Sequence, residues 1–363
     1  MLFSLGFLIL YFSLFLGLLW LWWNRKPPVL PPLTSYPKVS ILIAARNEEQ
    51  HIITCLEAID RLHYPKDRLE VLVGDDRSSD KTRQLVEAYK QTHPYVSCHG
   101  ILFDVQGTKG KANVLAQLAQ LATSDFFFIT DADIEVPRRW VETMLQHLTP
   151  GTGLVTGITT TKGSRIFDRL QALDWLYNLG LMQVVADRNL PVSTMGNNLL
   201  VTREAYRKVG GFENIPFSVT EDVQLFKQVL AKGYKTKNIY APEVLALSLP
   251  APNVLTLLDQ RRRWMRGSMH LPWYMILLFV IHSAYYPVWL PFFLHTSWGV
   301  WLAVLVGKLL LQSLFLRKCL TYSKQTSNWR DILLLEVYLV LTSVVLLVYF
   351  FLPFKIRWKG RLY

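Results

Sequence analysis

Cysteine is scarce in this chain of 363 residues, which contains only Cys55, Cys98 and Cys319. The three lie far apart and outside any CxxC pair, so the sequence predicts a reducing compartment without a disulfide framework or a zinc site. The GxxxxGK(S/T) and GxGxxG patterns are also missing, as are internal repeats and low-complexity tracts. These absences argue against a P-loop enzyme and against a GxGxxG nucleotide site.

Charge is absent from residues 2–23. Such a stretch can cross a bilayer core of roughly 30 Å. A cleaved signal peptide is the alternative, but the stretch has no basic n-region and no small-residue cleavage site. Three tryptophans near its end are followed by Arg25 and Lys26, so the positive-inside rule predicts an uncleaved anchor with this end in the cytoplasm.

Apolar residues make up 51% of the chain, with a mean hydropathy of +0.21, and they concentrate at its two ends. Three further apolar segments cover 271–294, 297–316 and 332–354, within a predicted membrane region at 271–354. If all three crossed, the basic tail at 355–363 would lie outside the cytoplasm, against the positive-inside rule. We therefore consider the segment HSAYYPVWLP (282–291), with its two prolines, as a candidate re-entrant turn.

The net charge of +12 raises the possibility of a nucleic-acid partner. The basic residues cluster beside apolar segments, however, where each contact to an anionic lipid headgroup is worth about 1 kcal/mol. The sequence therefore predicts anionic membrane lipids as partners and no nucleic acid. The clustered residues are Arg261, Arg262, Arg263, Arg266, Arg317, Lys318, Lys355, Arg357, Lys359 and Arg361.

The middle of the chain has a mixed composition. After the anchor (1–23), the proline-rich segment 24–38 predicts a stiff linker. In residues 39–252, short β-rich apolar runs alternate with helix-like runs, which predicts an α/β domain with a mostly parallel sheet covered on both faces. Residues 253–270 are predicted to form an amphipathic helix at the membrane interface.

Two aspartates follow one buried-looking strand, in the run FFFITDADIE. Asp131 and Asp133 sit two residues apart, so their carboxylates point the same way and need a positive partner. Mg²⁺ or Mn²⁺ bridging to phosphate oxygens supplies one. This pair is our candidate site for a divalent cation on a diphosphate.

Other polar residues lie where strands end or helices begin. Asp75 and Asp76 close the run VLVGDD and fit a turn or a ligand role equally well. Capping is the better interpretation for Ser78, Ser79 and Asp80. Glu221 and Asp222 precede a helix in FSVTEDVQLF. The run QGTKGKANVL offers Lys109 and Lys111 at a helix start, for which an ordinary loop is the simpler explanation.

The run QRRRWMRG lies just before a membrane segment. A basic helix beside apolar sequence favours an interfacial role. The alternative is that its arginine and tryptophan contact a diphosphate and a sugar.

Taken in order, several stretches between Val39 and Gly267 resemble the family 2 glycosyltransferases. The resemblance is to the membrane-integrated branch with cellulose, chitin and hyaluronan synthases, related to ceramide glucosyltransferases. It implies a Rossmann-like glycosyltransferase A-type domain flanked by transmembrane helices. The matching stretches are VSILIAARNEE, VLVGDDRSSDKT, GKANVL, TDADIE, GNNLLVTREAYRKVGGF, TED and QRRRW.

The resemblance also implies roles for individual residues. The nucleotide of a UDP-sugar would be bound by Ala44, Arg46, Glu48, Asp75, Asp76, Lys111 and Asp131. The divalent metal on its diphosphate would be held by Asp131 and Asp133. Asp222 would be the general base of an inverting transfer. The donor and acceptor would be contacted by Gly196, Asn197, Asn198, Glu221, Gln260, Arg263 and Trp264.

The acceptor divides the possible functions. A processive polysaccharide synthase needs a transmembrane channel, usually built from more than four spans, whereas a lipid glycosyltransferase needs only an acceptor at the membrane surface. We favour a lipid acceptor over a growing glycan, in an integral protein of the cell inner membrane with a cytoplasmic catalytic domain. The apolar stripe of residues 165–185 predicts packing on the sheet, with contact to lipid as the alternative. A non-catalytic membrane partner is the third hypothesis.

Overall fold

The computed structural model describes residues 2–105, 107–216, 218, 220–293, 295–352, 357, 358, 361 and 362. The chain divides into two compact units. A helical unit comprises residues 1–28, 164–192 and 252–353, and a sheet unit comprises residues 29–163, 193–251 and 354–363. The predicted basic tail is described only at residues 357, 358, 361 and 362, and Lys355 and Lys359 lie outside the described residues.

The strands form one large sheet and two small ones. They are β1 (Val39–Ala45), β2 (Leu69–Asp75), β3 (Val96–Gly100), β4 (Phe126–Asp131), β5 (Thr152–Thr156), β6 (Ile158–Thr161), β7 (Asn198–Thr202), β8 (Lys235–Asn238), β9 (Leu245–Ser248), β10 (Arg357–Trp358) and β11 (Arg361–Leu362). The large sheet has the order β3-β2-β1-β4-β7-β5-β8, while β6 pairs with β9 and β10 with β11. Within it β7 runs antiparallel to β4 and β5, and the other pairs are parallel. The predicted mostly parallel sheet is confirmed.

The helices are divided between the two units. In chain order they are α1 (Leu2–Trp23), α2 (Ile52–Asp60), α3 (Thr82–Lys90), α4 (Gly110–Leu121), α5 (Trp140–Gln146), α6 (Ile166–Ala186), α7 (Arg203–Lys208), α8 (Gly211–Asn214), α9 (Glu221–Ala231), α10 (Val254–Ser268), α11 (Trp273–Ser283), α12 (Tyr285–Phe293), α13 (Trp298–Ser323) and α14 (Trp329–Phe351). Helices α1, α6 and α10 to α14 belong to the helical unit, and the others to the sheet unit.

Both faces of the large sheet are buried. Ile41 and Ile43 of β1 belong to a core with residues of α2 and α5, while Leu42 belongs to a second core with residues of α4 and α9. Successive side chains of a strand point to opposite faces. This explains why β1 reads as a continuous apolar run rather than an alternating one.

Four stretches of the described chain are helical, long and apolar enough to cross a membrane: Leu2–Trp23, Trp273–Pro291, Trp298–Ser323 and Trp329–Phe351. The second combines α11 and α12, because the backbone hydrogen bonds of Ala284 and Val288 continue the helical pattern between them. It includes Pro287 and Pro291, which lack the N–H needed for this pattern. Helix α13 runs seven residues past the predicted apolar segment, to Ser323.

Helix α6 packs against α1, α13 and α14 of the helical unit. The sequence predicted packing on the sheet, whereas the structure assigns α6 to the helical unit. Two long-range contacts explain its position. Gly180 allows close packing, since a Cβ atom there would lie 2.4 Å from the Cys319 sulfur. Arg169 also forms an ion pair with buried Asp331, with Nε and Oδ2 2.6 Å apart.

Two charged side chains inside the apolar helices bind each other. Lys308 of α13 forms an ion pair with Glu336 of α14, and the Tyr286 hydroxyl donates a hydrogen bond to the same carboxylate. Burying either charge alone would cost several kcal/mol, so the pair fixes how these helices pack.

Candidate active site

Three strands of the large sheet end at the same level. Ala45 at the end of β1 is in register with Asp75 of β2, and Ala44 is in register with Asp131 of β4. The chain order reverses between β1 and β4, and ligands of open α/β sheets bind beyond the carboxyl ends of strands at such a point. The residues predicted at these three strand ends therefore lie at one edge of the sheet.

The loops after β1 and β2 are hydrogen-bonded to each other. Asn47, with a φ of 54°, accepts a hydrogen bond on Oδ1 from the Ser79 N–H at 2.9 Å, and its own N–H donates to Ser78 Oγ at 3.0 Å. The Arg46 guanidinium donates to the Asp76 carbonyl oxygen at 2.7 Å. Ser78 and Ser79 thus join the two loops instead of capping a helix.

Asp80 lies one residue before Lys81, the N-cap of α3. Its Oδ1 accepts from the Thr82 N–H at 3.0 Å, and its Oδ2 accepts from the Glu49 N–H at 3.0 Å. Burial would raise the pKa of Asp80, but these hydrogen bonds and one from the Thr82 hydroxyl lower it overall. Asp80 thus accepts from the first N–H of α3 and also joins the loop after β1, while the N-cap position itself, Lys81, has no side-chain cap.

The two aspartates after β2 are buried, each about 5% exposed. Asp75 Oδ1 and Arg46 Nε are buried without a hydrogen-bond partner in the described part of the chain. Asp76 lies near two guanidinium groups, at 3.9 Å from Arg46 and 3.4 Å from Arg77. A buried polar atom without a partner needs an explanation, and a ligand contact is one.

Lys111, in the first turn of α4, connects three segments of the sheet unit. Its Nζ lies 2.6 Å from Asp131 Oδ1 and 3.3 Å from Glu221 Oε1. The same ammonium donates to the Gly196 carbonyl oxygen at 3.1 Å. Its side chain is only 10% exposed. Burial would lower the pKa of Lys111, but Asp131, Glu221 and Asp222 outweigh burial and raise it, so the group stays charged.

Asp222 sits in the first turn of α9 and is held by Gly196. Its Oδ2 accepts from the Gly196 N–H at 2.7 Å, and its Oδ1 accepts from the Val223 N–H at 2.9 Å. A Cβ atom on Gly196 would lie 2.8 Å from the Asp222 Cβ, which explains the glycine. The helix N-terminus also favours a negative charge here.

The two asparagines after Gly196 differ in their surroundings. Asn197 accepts from the Thr159 hydroxyl at 3.1 Å and is partly exposed. Asn198 is fully buried: its Nδ2 donates to the carbonyl oxygens of Ile158 and Val244, and its Oδ1 accepts from Trp140 Nε1 at 2.8 Å. Asn198 therefore supports the site from inside the core.

Asp131 and Asp133 form the end and the following turn of β4. The Asp131 side chain is 34% exposed. Among the described residues no three His, Cys, Asp or Glu side chains form a group that could hold a metal ion. Two carboxylates nevertheless fit a Mg²⁺-like cation, because such cations often take most ligands from water and substrate phosphates.

Some residues at this edge of the sheet carry no motif in the sequence. The Thr130 hydroxyl donates to the Asn197 carbonyl oxygen at 3.0 Å, and the buried Cys55 thiol lies 3.5 Å from the Asp131 carbonyl oxygen. Burial and the charges of Asp133 and Asp131 raise the pKa of Cys55, so this thiol stays protonated. Asn47, which joins the loops after β1 and β2, is the residue whose type could have indicated its role, because asparagine tolerates a positive φ.

The residues Gln260, Arg263 and Trp264 lie on α10, in the helical unit. Within that unit the Trp264 ring meets Trp175 edge-on at 4.7 Å and carries the Arg261 guanidinium at 5.0 Å. Arg261 also forms an ion pair with Asp174 of α6. Helix α10 exposes Val254 and Leu255 near its start, as an interfacial helix would.

Comparison with known proteins decides the family. The sequence model of glycosyl transferase family 21 matches residues 5–363. The chain belongs to glycosyl transferase family 21. This family is of the family 2 type, so the resemblance to family 2 glycosyltransferases is confirmed.

Two relatives of this family 21 protein are named for different products. It is 25% identical over 251 residues to the beta-monoglucosyldiacylglycerol synthase of Synechocystis, covering 68% of this chain and 51% of that protein. It is 27% identical over 249 residues to the poly-beta-1,6-N-acetyl-D-glucosamine synthase of Staphylococcus aureus, covering 68% of this chain and 57% of that protein. The chain thus spans little more than half the length of these relatives.

A solved structure has the same fold. The mannosyltransferase PcManGT from Pyrobaculum calidifontis, in complex with GDP-Man and Mn²⁺, aligns with a TM-score of 0.52 and 19% identity. The alignment covers 96% of this chain and 91% of that one. Together with the observed sheet and the four long apolar helices, it confirms the predicted fold class, and the helices indicate a membrane protein.

Proposed function

We propose that this family 21 protein transfers a sugar from a UDP-sugar to a lipid acceptor at the membrane surface, with inversion at the anomeric carbon. The observation that carries the proposal is the Lys111 cluster, where one buried ammonium contacts Asp131, Glu221 and the Gly196 carbonyl oxygen. Asp222 accepts a hydrogen bond from the Gly196 N–H. One edge of the sheet thus carries a cationic group, a proposed base and an acidic strand end.

The base of the proposed reaction is Asp222. In the proposed step its carboxylate removes the proton of an acceptor hydroxyl, whose oxygen then attacks C1 of the donor sugar as the bond to the diphosphate breaks. The Gly196 and Val223 N–H groups fix the carboxylate orientation before the acceptor arrives. Positioned general bases contribute about 10²- to 10⁴-fold to such reactions.

The leaving diphosphate develops negative charge that Lys111 can stabilise. This ammonium is charged and already oriented, which is the condition for strong stabilisation of a developing charge. Asp131 and Asp133 would hold a divalent cation, which when bound would neutralise part of the diphosphate charge. The Mn²⁺ in the PcManGT complex, with its shared fold, supports this assignment.

The nucleotide would lie over the ends of β1 and β2. Asp75 Oδ1 and Arg46 Nε, which lack partners in the described structure, suit a polar base, with Ala44, Glu48 and Asp76 around them. We propose that Gln260, Arg263 and Trp264 contact the donor or acceptor. We also propose the division of the chain into an anchor, a linker, a cytoplasmic catalytic domain, an interfacial helix and a membrane region.

The lipid acceptor is supported by the diacylglycerol-derived name of one relative and by the count of four long apolar helices among the described residues. A processive polysaccharide synthase is the second candidate, because the other relative is named for a polymer. The two functions predict different products, a discrete glycolipid for the first and a polymer for the second.

The test is an incubation of the purified full chain with a membrane lipid extract, Mn²⁺ and radiolabelled sugar donors. We expect a discrete chloroform-soluble product from one UDP-sugar and none from GDP-mannose. A water-soluble polymer would establish the synthase, and a product from GDP-mannose would overturn the choice of UDP. Omission of the metal should abolish either reaction.

A further inference from the structure

The helical unit contains a pocket of about 230 Å³ where α1 and α6 end. Its polar lining consists of Asn24, Arg25, Lys26, Asp187 and Arg188. This pocket involves none of the residues assigned above to the donor, the metal or the base.

One ion pair forms a fixed wall of the pocket. Arg25 Nε lies 2.7 Å from Asp187 Oδ2, and Asp187 Oδ1 accepts from the Gln183 amide at 2.8 Å. The Arg25 side chain is only 8% exposed, because its guanidinium lies against the rings of Trp22 and Tyr322, at 5.1 and 5.3 Å. The charges of Arg25 and Asp187 therefore compensate each other.

Two further cations line the pocket without compensation. Lys26 and Arg188 are exposed, and neither forms an ion pair with another residue that the structure describes. Three cations thus face one carboxylate, and the pocket carries a surplus of positive charge. An anionic group with several oxygen acceptors would satisfy this arrangement.

The position of the pocket indicates where its ligand comes from. The uncharged helix α1 ends at Trp23, whose ring lies 4.7 Å from Lys318 Nζ. At the adjacent end of α14, Trp329 lies 4.4 Å from the Arg317 guanidinium. Tryptophans and cations at the ends of apolar helices mark the headgroup level of a bilayer. The apolar side chains of Leu21 and Val184 also line the pocket.

We propose that this pocket is a binding site for the phosphate of an anionic glycerophospholipid headgroup. Lys26 and Arg188 neutralise the phosphate, Asn24 and Arg25 offer N–H donors, and Leu21 and Val184 face the first carbons of the lipid. A bound lipid would connect the anchor to α6 at the membrane surface. The proposal does not depend on the choice of sugar or acceptor.

The test uses the full chain in mixed micelles of phosphatidylcholine and phosphatidylglycerol, with retained lipids measured by native mass spectrometry. The variant Lys26→Gln/Arg188→Gln removes both uncompensated cations and leaves the Arg25–Asp187 pair in place. The matched control Lys324→Gln/Arg330→Gln removes the same charges from exposed residues near the ends of α13 and α14, outside the pocket.

We expect the unmodified chain to retain phosphatidylglycerol in preference to phosphatidylcholine. The pocket variant should lose this preference by about fivefold for each cation removed, and the control should keep it. An equal loss in both variants would show that general surface charge retains the lipid, and would overturn the site. If inorganic phosphate at millimolar concentration displaced the lipid from the unmodified chain, a free phosphate site would replace the lipid assignment.

Discussion

The Gly196 N–H donates a hydrogen bond to Asp222 Oδ2 at 2.7 Å, while the Gly196 carbonyl oxygen accepts from Lys111 at 3.1 Å. One peptide segment thus holds the proposed base with its N–H and the proposed diphosphate contact with its oxygen. Asp222 and Lys111 are 111 residues apart in the sequence, and Gly196 hydrogen-bonds to both.

Replacement of Asp222 by asparagine should strongly slow transfer and spare donor binding. Asparagine keeps the shape and can still accept from the Gly196 N–H, but it cannot take a proton. We expect kcat to fall about 10³-fold, within the range for general bases. Product formation and UDP binding by calorimetry would be measured on the same preparation, and an equal loss of both would remove Asp222 from the role of base.

Alanine at Gly196 should misplace the base without removing it. Its Cβ would lie 2.8 Å from the Asp222 Cβ and 2.9 Å from Oδ2, so the carboxylate must move. A misplacement of about 1 Å can cost about 10²-fold in rate. The control is Gly299→Ala in α13, where the nearest atom would lie 4.0 Å away. Unchanged kcat in Gly196→Ala would contradict the proposed geometry.

Methionine at Lys111 should destabilise the chain in the absence of metal. Asp131 and Glu221 would lose their shared cation, and breaking such a pair costs about 3 kcal/mol. The apparent unfolding temperature should therefore fall in EDTA and recover in part with Mn²⁺. Lys109→Met is the matched control, because Lys109 is exposed in the same loop. Equal behaviour of the two variants would refute the cluster as a charge-balancing unit.

Asparagine at Asp133 should weaken the binding of the metal. We expect the Mn²⁺ concentration for half-maximal activity to rise about tenfold or more, since even the loss of a residue that only hydrogen-bonds to a metal ligand lowers metal affinity by that much. Activity at saturating Mn²⁺ should return in part. An unchanged Mn²⁺ requirement would place the cation elsewhere.

Alanine at Asn198 should lower the stability of the chain rather than its affinity for the donor. It would leave the Ile158 and Val244 carbonyl oxygens and the Trp140 N–H without their partner, a loss of about 3 kcal/mol. The Michaelis constant for the donor should stay within twofold, roughly the change expected away from a binding site. Asn197→Ala removes one hydrogen bond and is the control, with a smaller loss of stability expected in thermal unfolding.

The sequence by itself determined the apolar segments, the buried strands and the acidic residues at their ends. These features depend on local composition and on the two-residue and 3.6-residue periods of strands and helices. It also placed a hydrogen-bonding side chain at the start of α3, because the Asp80 carboxylate accepts from the Thr82 N–H only two residues away.

The tertiary structure alone decided which side chains meet. Lys111 contacts Asp131, Glu221 and Gly196, which lie in three other segments. Helix α6 packs on the apolar helices through Gly180 and Arg169. Asn198 became a core residue because Trp140 and two carbonyl oxygens surround it. Such contacts join residues far apart in the chain, so no local pattern records them.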